Sequence, residues 1–166
     1  MKTIKVKELN RDDFALFGEF AAMIGPHEYH FGDSPVRFYR DILQMHVSGR
    51  AMPSFSVCRA EKRPLIIEKA EYHSETGEGI LPLDGDVVIH VAPATRPDIV
   101  PHEEFAAFRV PQGTMAVLKP GVWHHAPFPL EKDIVNTLIV LPERTYANDC
   151  RVVELEGDDR AEIKVG

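Results

Sequence analysis

The chain has 166 residues, a formal charge of −7 and 44% apolar residues, the composition of one ordinary globular domain long enough to bury a core. Acidic residues number 26 against 19 basic ones, with no dense basic cluster, which excludes nucleic acid as a general partner and leaves a small anionic substrate in need of a local positive site. No apolar run is long enough to span a membrane, the N-terminus MKTIKVKELN lacks the apolar stretch of a secretory signal, and the two cysteines, Cys58 and Cys150, read as small buried thiols of a cytoplasmic protein.

The 13 prolines and 11 glycines are spread along the whole length and punctuate many short segments, the pattern of an all-β sandwich or barrel. Residues 10–18 form a short N-terminal helix: Asn10 caps it, Asp12 and Asp13 suit its positive end, Phe14 and Phe17 share a core-facing side, and Gly18 stops it. Residues 19–24 extend toward a first strand, and 25–34 (GPHEYHFGDS) make a polar loop bearing histidines and aromatics. Over 36–47 the uneven alternation does not separate helix from strand. Strands follow at 55–59, 64–73 and 78–83, with a tight turn at Asp84-Gly85 and an apolar β-branched strand at 86–91. Residues 93–101 are a loop, and 102–110 hold a helical turn and a short strand. Further strands fall at 114–118, 122–125 and 134–141, with an edge candidate at 152–155 and a peripheral or loosely ordered acidic end at 156–166.

Two stretches carry side chains that bind metals. Glu71 and His73 stand two apart on one strand, so both point to the same face, and Glu78 opens the next strand, where an antiparallel pairing brings it beside them. Farther on, Gly121 allows a sharp turn, and His124 sits three residues beyond it. If the two stretches meet, Glu71, His73, Glu78 and His124 make a mixed oxygen and nitrogen site suited to Zn, Mn, Ni or Fe, with positions left for substrate and no organic cofactor required. In an extended segment His125 points away from His124, and Trp123 packs outside the barrel. Glu78 and His124 are candidates for the general base. Lys69, on the Glu71 face, and Lys119, beside the turn, are candidates to anchor a substrate carboxylate; His30 and Tyr29 are candidates to close the pocket, as a loop or from a partner subunit.

These residues resemble the two-part motif of the cupin superfamily. The first part reads Glu71-X-His73-(X)4-Glu78-(X)6-Gly85, with Glu71 in place of the usual first histidine and Leu65 in place of the leading glycine. The second reads Gly113-(X)5-Lys119-Pro120-Gly121-(X)2-His124-(X)3-Phe128, with the proline displaced by one and Phe128 in place of asparagine. The resemblance implies a double-stranded β-helix, a jelly-roll barrel with Glu71, His73, Glu78 and His124 at its mouth. A closer resemblance covers most of the chain. Asp13-Phe14-Ala15-Leu16-Phe17-Gly18-Glu19, Pro64-Leu65-Ile66-Ile67-Glu68, Glu71-Tyr72-His73, Ile80-Leu81-Pro82-Leu83-Asp84-Gly85, Gly121-Val122-Trp123-His124-His125-Ala126-Pro127 and Asn148-Asp149-Cys150 are similar to the ureidoglycolate lyase family. That likeness implies a homodimeric cupin that splits ureidoglycolate into glyoxylate and urea in purine breakdown. Where the family has an Asp-Arg-Gly-like run, this chain reads Val140-Leu141-Pro142-Glu143-Arg144, and Glu78 stands where glutamine is frequent. Two other readings of the same residues are a metal-dependent cupin isomerase or oxygenase acting on a small hydroxy acid or sugar, and a non-catalytic cupin that binds a small molecule.

Overall fold

The computed structural model describes residues 1–49 and 51–166, and within them the short segments between prolines and glycines become strands. The alternating Thr3 to Lys7 stretch forms β1 (Lys2–Glu8), which buries Ile4 and leaves its lysines outside. Helix α1 (Arg11–Phe14) is a single turn, shorter than the 10–18 expected. The Asn10 side chain caps it by accepting from the Asp13 N–H at 2.9 Å. The helix ends early because Phe17 joins Phe14 in the core and Gly18 already opens β2 (Gly18–Ala22). Gly18 is required for packing: a Cβ there would fall 2.0 Å from the Val117 carbonyl oxygen.

Residues 23–52 hold no helix or strand among the described positions, only an isolated bridge between Phe31 and Phe38. Ile42, Leu43 and Met45 of this segment line a groove with Met115, Val117 and Val140 on the five-stranded sheet. Then come β3 (Pro53–Glu61), β4 (Ile66–Ile67) and β5 (Lys69–Tyr72). The single strand expected over 64–73 is broken at Glu68, because its two halves serve opposite ends of one sheet. Next are β6 (Glu78–Pro82), β7 (Val87–Ala92), a 3₁₀ turn at His102–Glu104, β8 (Ala106–Val110), β9 (Thr114–Leu118), β10 (Trp123–His124), β11 (Phe128–Pro129) and β12 (Ile134–Pro142). A one-turn helix α2 (Thr145–Asn148), β13 (Arg151–Glu154) and β14 (Ala161–Lys164) complete the chain. The acidic end is therefore ordered, contrary to the sequence expectation: Ala161 and Ile163 alternate into the core, and β14 pairs with β1 and β4. No helix among the described residues is long and apolar enough to cross a membrane.

The strands form two sheets. Five run in the order β2-β9-β6-β12-β3; the larger sheet runs β13-β5-β10-β7-β8-β1-β14-β4, with β11 also on β7. The core between the sheets contains Phe14, Ile89, Val91, Phe108, Leu118 and Ile139. The larger sheet curls until β4 and β5, neighbours in sequence, stand near its opposite ends, and so it encloses a second core that includes Ile67, Val88, Trp123, Phe128 and Ile163. Along β7, Val87, Ile89 and Val91 face the first core while Val88 and Ala92 face the second.

His90 alternates with them into the second core, beside Phe105 and Phe128, with ring centroids 5.6 and 6.1 Å away. Neither of its ring nitrogens finds a hydrogen-bond partner among the described residues. Burial, followed by the nearby His125, His124 and Arg63, pushes its pKa down to about 3, and only the Lys69 backbone acts in the opposite sense. An unfolded histidine titrates near 6.5, so between that value and about 3 the unfolded chain binds a proton that the folded chain refuses. Stability from this residue is full above pH 6.5 and falls with acidification, by about 1.4 kcal/mol per pH unit. His90→Leu is expected to remove that slope, so that urea midpoints compared at pH 7.5 and pH 5 fall less than in the parent. An unchanged difference would show that His90 does not cause the acid sensitivity.

Candidate active site

The candidate site lies at one end of the space between the sheets, and three elements bring it together. Strand β5 supplies Glu71, and His73 follows directly after the strand. Strand β10 pairs His124 with Glu71, and its two-residue period sends Trp123 into the second core. The expected hairpin between the Glu71 strand and the Glu78 strand does not form. Instead β6 crosses to the five-stranded sheet, where Glu78 pairs with Leu118, and the carboxylate reaches back across the interior. Gly121 makes the meeting possible. Its φ of +80° suits glycine, and its N–H donates to the His73 carbonyl at 2.6 Å, tying the two histidine-bearing segments together. Arg63 holds the chain beyond His125 by donating to the Ala126 and Pro127 carbonyls and lying over the Phe128 ring.

Glu78 Oε2 lies 3.0 Å from His73 Nε2 and 2.9 Å from His124 Nε2, with all three residues buried. The other ring nitrogens are also committed. His73 Nδ1 is 2.7 Å from the Asp149 carbonyl oxygen, and His124 Nδ1 is 2.9 Å from that of Val122. A carbonyl oxygen can only accept, so each Nδ1 carries the hydrogen, and a neutral ring turns an Nε2 lone pair toward the carboxylate. Lone pair against carboxylate is stable only with a proton or a cation between them. Burial works against charge on Glu78 and on His124, but each outweighs it for the other: the Glu78 carboxyl is held well below the usual range and the His124 imidazolium well above it.

Glu71, His73 and His124 each offer a ligand atom within 4.8 Å of the others, the arrangement that a divalent cation needs. Backbone carbonyls on both Nδ1 atoms are the usual way a protein presents Nε2 to a metal, so the residues fit such an ion. Glu78, expected as a fourth ligand, stands beside this group and bridges the two imidazoles.

Four other expected site residues are placed elsewhere. Lys69 shares the Glu71 face but turns outward to pair with Glu154 at 2.9 Å. Lys119 donates to the Ala15 carbonyl and lines a groove of about 540 Å³ with Arg11, Glu19 and Glu28 at β2, an edge of the five-stranded sheet. Tyr29 is exposed and stacks edge-on against Phe31, while His30 lies against Tyr39. Each lysine is long and flexible enough to take a partner away from the cluster. His125, just beyond β10, is half-buried.

The structure adds residues to which the sequence assigned no role at the site. Cys150 Sγ lies 3.6 Å from Glu71 Oε2, and burial beside that carboxylate pushes its thiol pKa up to about 12. Burial also raises the Cys58 thiol; Arg63 opposes the shift, while Glu78 and Glu71 add to it. The Tyr146 ring meets His73 edge-on, with centroids 6.0 Å apart. Asp149 grips the turn after His73, accepting from the Ser74 N–H (2.8 Å), the Ser74 hydroxyl (2.6 Å) and the Glu75 N–H (2.9 Å). Cys150 therefore lies against a carboxylate, while Cys58 packs against the first core.

Two curled sheets with a histidine and carboxylate cluster at one end define a cupin, a double-stranded β-helix with a centre suited to small-molecule chemistry. The sequence profile of the ureidoglycolate lyase family matches residues 1–162, and the chain belongs to that family. The ureidoglycolate lyase of Azotobacter vinelandii (strain DJ / ATCC BAA-1303) is 30% identical over 130 residues, covering 75% of this chain and 76% of its own. That of Burkholderia cepacia is 29% identical over 161 residues, covering 92% and 86%. Among solved structures, a dTDP sugar isomerase from Desulfovibrio desulfuricans G20 overlays with a TM-score of 0.47 at 13% identity, covering 85% of both chains.

Proposed function

We propose that this enzyme is a lyase that splits ureidoglycolate into glyoxylate and urea. The observation that carries the reading, within the family, is the buried Glu78 carboxylate shared by two imidazoles whose Nδ1 atoms are fixed by backbone carbonyls. In the reaction the substrate hydroxyl loses a proton, its oxygen becomes the glyoxylate carbonyl, the carbon–nitrogen bond breaks, and the leaving nitrogen takes a proton to become urea. The net proton movement is from oxygen to nitrogen, so one carboxylate can accept and return it. Glu78 Oε2, buried and ionised, is that group in our reading.

Glu71, His73 and His124 would hold a divalent cation, which when bound supplies positive charge that acidifies the substrate hydroxyl and neutralises the anionic cluster. The side chains themselves orient the α-hydroxy acid end of the substrate, and Val91, Val122 and Leu118 of the first core keep water away from the buried side of the cluster. The same reading includes a homodimer in the cytoplasm, supported by the family likeness and by the two free thiols.

Purified protein assayed for glyoxylate release, with elemental analysis of the same sample, tests the proposal. Release that depends on about one divalent ion per chain is the expected result. A folded protein that makes no glyoxylate from ureidoglycolate, with or without added metal, would refute the lyase reading. If that protein also retained its ion through dialysis, an isomerase or oxygenase reading would take its place.

A further inference from the structure

The segment after β12 carries three residues to the mouth of the cluster and is anchored at both ends. At its start Arg144 takes a left-handed φ of +61°, and the buried Thr145 hydroxyl donates to the Pro142 carbonyl at 2.8 Å. At its end the Asp149 carboxylate grips Ser74 and Glu75, its carbonyl accepts from His73, and the Cys150 thiol leans on Glu71. Asp149 and Cys150 are therefore occupied in holding other groups. Tyr146, one turn away on α2, is not. Its ring lies edge-on to His73, the residue is 60% exposed, and its hydroxyl makes no hydrogen bond to the described residues. It is an uncharged donor mounted beside the cluster, without a hydrogen-bond partner among the described residues.

The two ends of the proposed substrate differ in the same way as the two parts of this site. Its α-hydroxy acid end is charged and suits Glu71, His73 and His124, where a cation fits. Its ureido end is neutral, with a carbonyl oxygen as its strongest acceptor, and suits an uncharged O–H donor. Neither lysine expected nearby is available, and Arg63 is used by the Ala126 and Pro127 carbonyls. We infer that Tyr146 is a specificity-determining residue of this site, donating its hydroxyl hydrogen to the ureido carbonyl oxygen of the bound substrate. The inference rests on the lyase reading and goes beyond it, because it assigns which residue recognises the leaving half.

Tyr146→Phe removes the donor and keeps the ring, and the exposed position makes it a mild change to the fold. Two inert probes separate the two ends of the substrate: N-carbamoylglycine has the carboxylate and ureido groups without the hydroxyl, and glycolate has the carboxylate and hydroxyl without the ureido group. Calorimetry on the metal-loaded protein is expected to show N-carbamoylglycine binding weakened about tenfold, as for one lost hydrogen bond, with glycolate binding unchanged. KM for ureidoglycolate should rise by a similar factor while kcat changes by less than about threefold. Tyr146→Leu, which also loses the ring, should be no better than Tyr146→Phe toward N-carbamoylglycine. Equal weakening of both probes would assign Tyr146 a structural role only, and no weakening of either would remove it from the site; each result overturns the inference. A parent protein that neither turns over ureidoglycolate nor binds N-carbamoylglycine would instead bring down the lyase reading, and this inference with it.

Discussion

Replacing Glu78 with glutamine is expected to lower kcat/KM for ureidoglycolate on the order of a thousandfold, with the fold intact by circular dichroism. The change preserves shape almost atom for atom and removes only charge and basicity. Glu78 Oε2 is the only acceptor described within 3.0 Å of both Nε2 atoms, so the amide leaves the two imidazoles without a shared anion. His124 then loses the main influence that holds its pKa up. A variant with more than about a fifth of parental activity would show that Glu78 is not the proton-transferring group, and would shift that role to Glu71 or to a hydroxide held by the cluster.

Trp123→Ala should cost about 4 kcal/mol of stability and lower Tm on the order of 10 °C. Trp123 is 1% exposed, its indole N–H donates to the Thr95 hydroxyl at 2.8 Å, and the Tyr72 ring packs against it at a tilt, with centroids 4.5 Å apart. Truncation would leave a cavity in the enclosed second core. Trp123 and Tyr72 immediately precede His124 and His73, so the same variant should loosen both histidines and lose activity beyond what instability explains. Trp123→Phe, which refills most of the space, should recover more than half of the stability. A loss below about 1 kcal/mol in Trp123→Ala, read from chemical denaturation, would contradict the packing described.

Much of this was legible in the residues, and the failures have physical causes. A period of two correctly separated His124 from Trp123, because side-chain direction along a strand is local. The spacing from Gly121 to His124 worked because the turn needs a left-handed residue at that point. Strand partners were not legible. The short link between His73 and Glu78 suggested a hairpin, yet β6 joins the other sheet, a choice made by burial over the whole chain. The alternation of Ile4 and Val6 could have revealed β1, and Ala161 with Ile163 could have revealed β14, but acidic neighbours hid the latter. Lys69 and Lys119 turn to Glu154 and to the Ala15 carbonyl, because a backbone position does not specify where a long flexible side chain ends. Tyr146 had no local mark, since its place beside His73 comes only from long-range folding.

The pairing of the first strand with the last has a kinetic consequence. Lys2 lies against Ala161 and Lys5 against Lys164, so almost the whole chain is the loop that this contact closes. Such a closure is slow to find, because its entropy cost is met before any of the parallel ladder forms. Ile4 and Ile163, carried by these two strands, belong to the second core with Ile67 and Trp123. The two ends of the chain therefore close the second core together, Ile4 from β1 and Ile163 from β14.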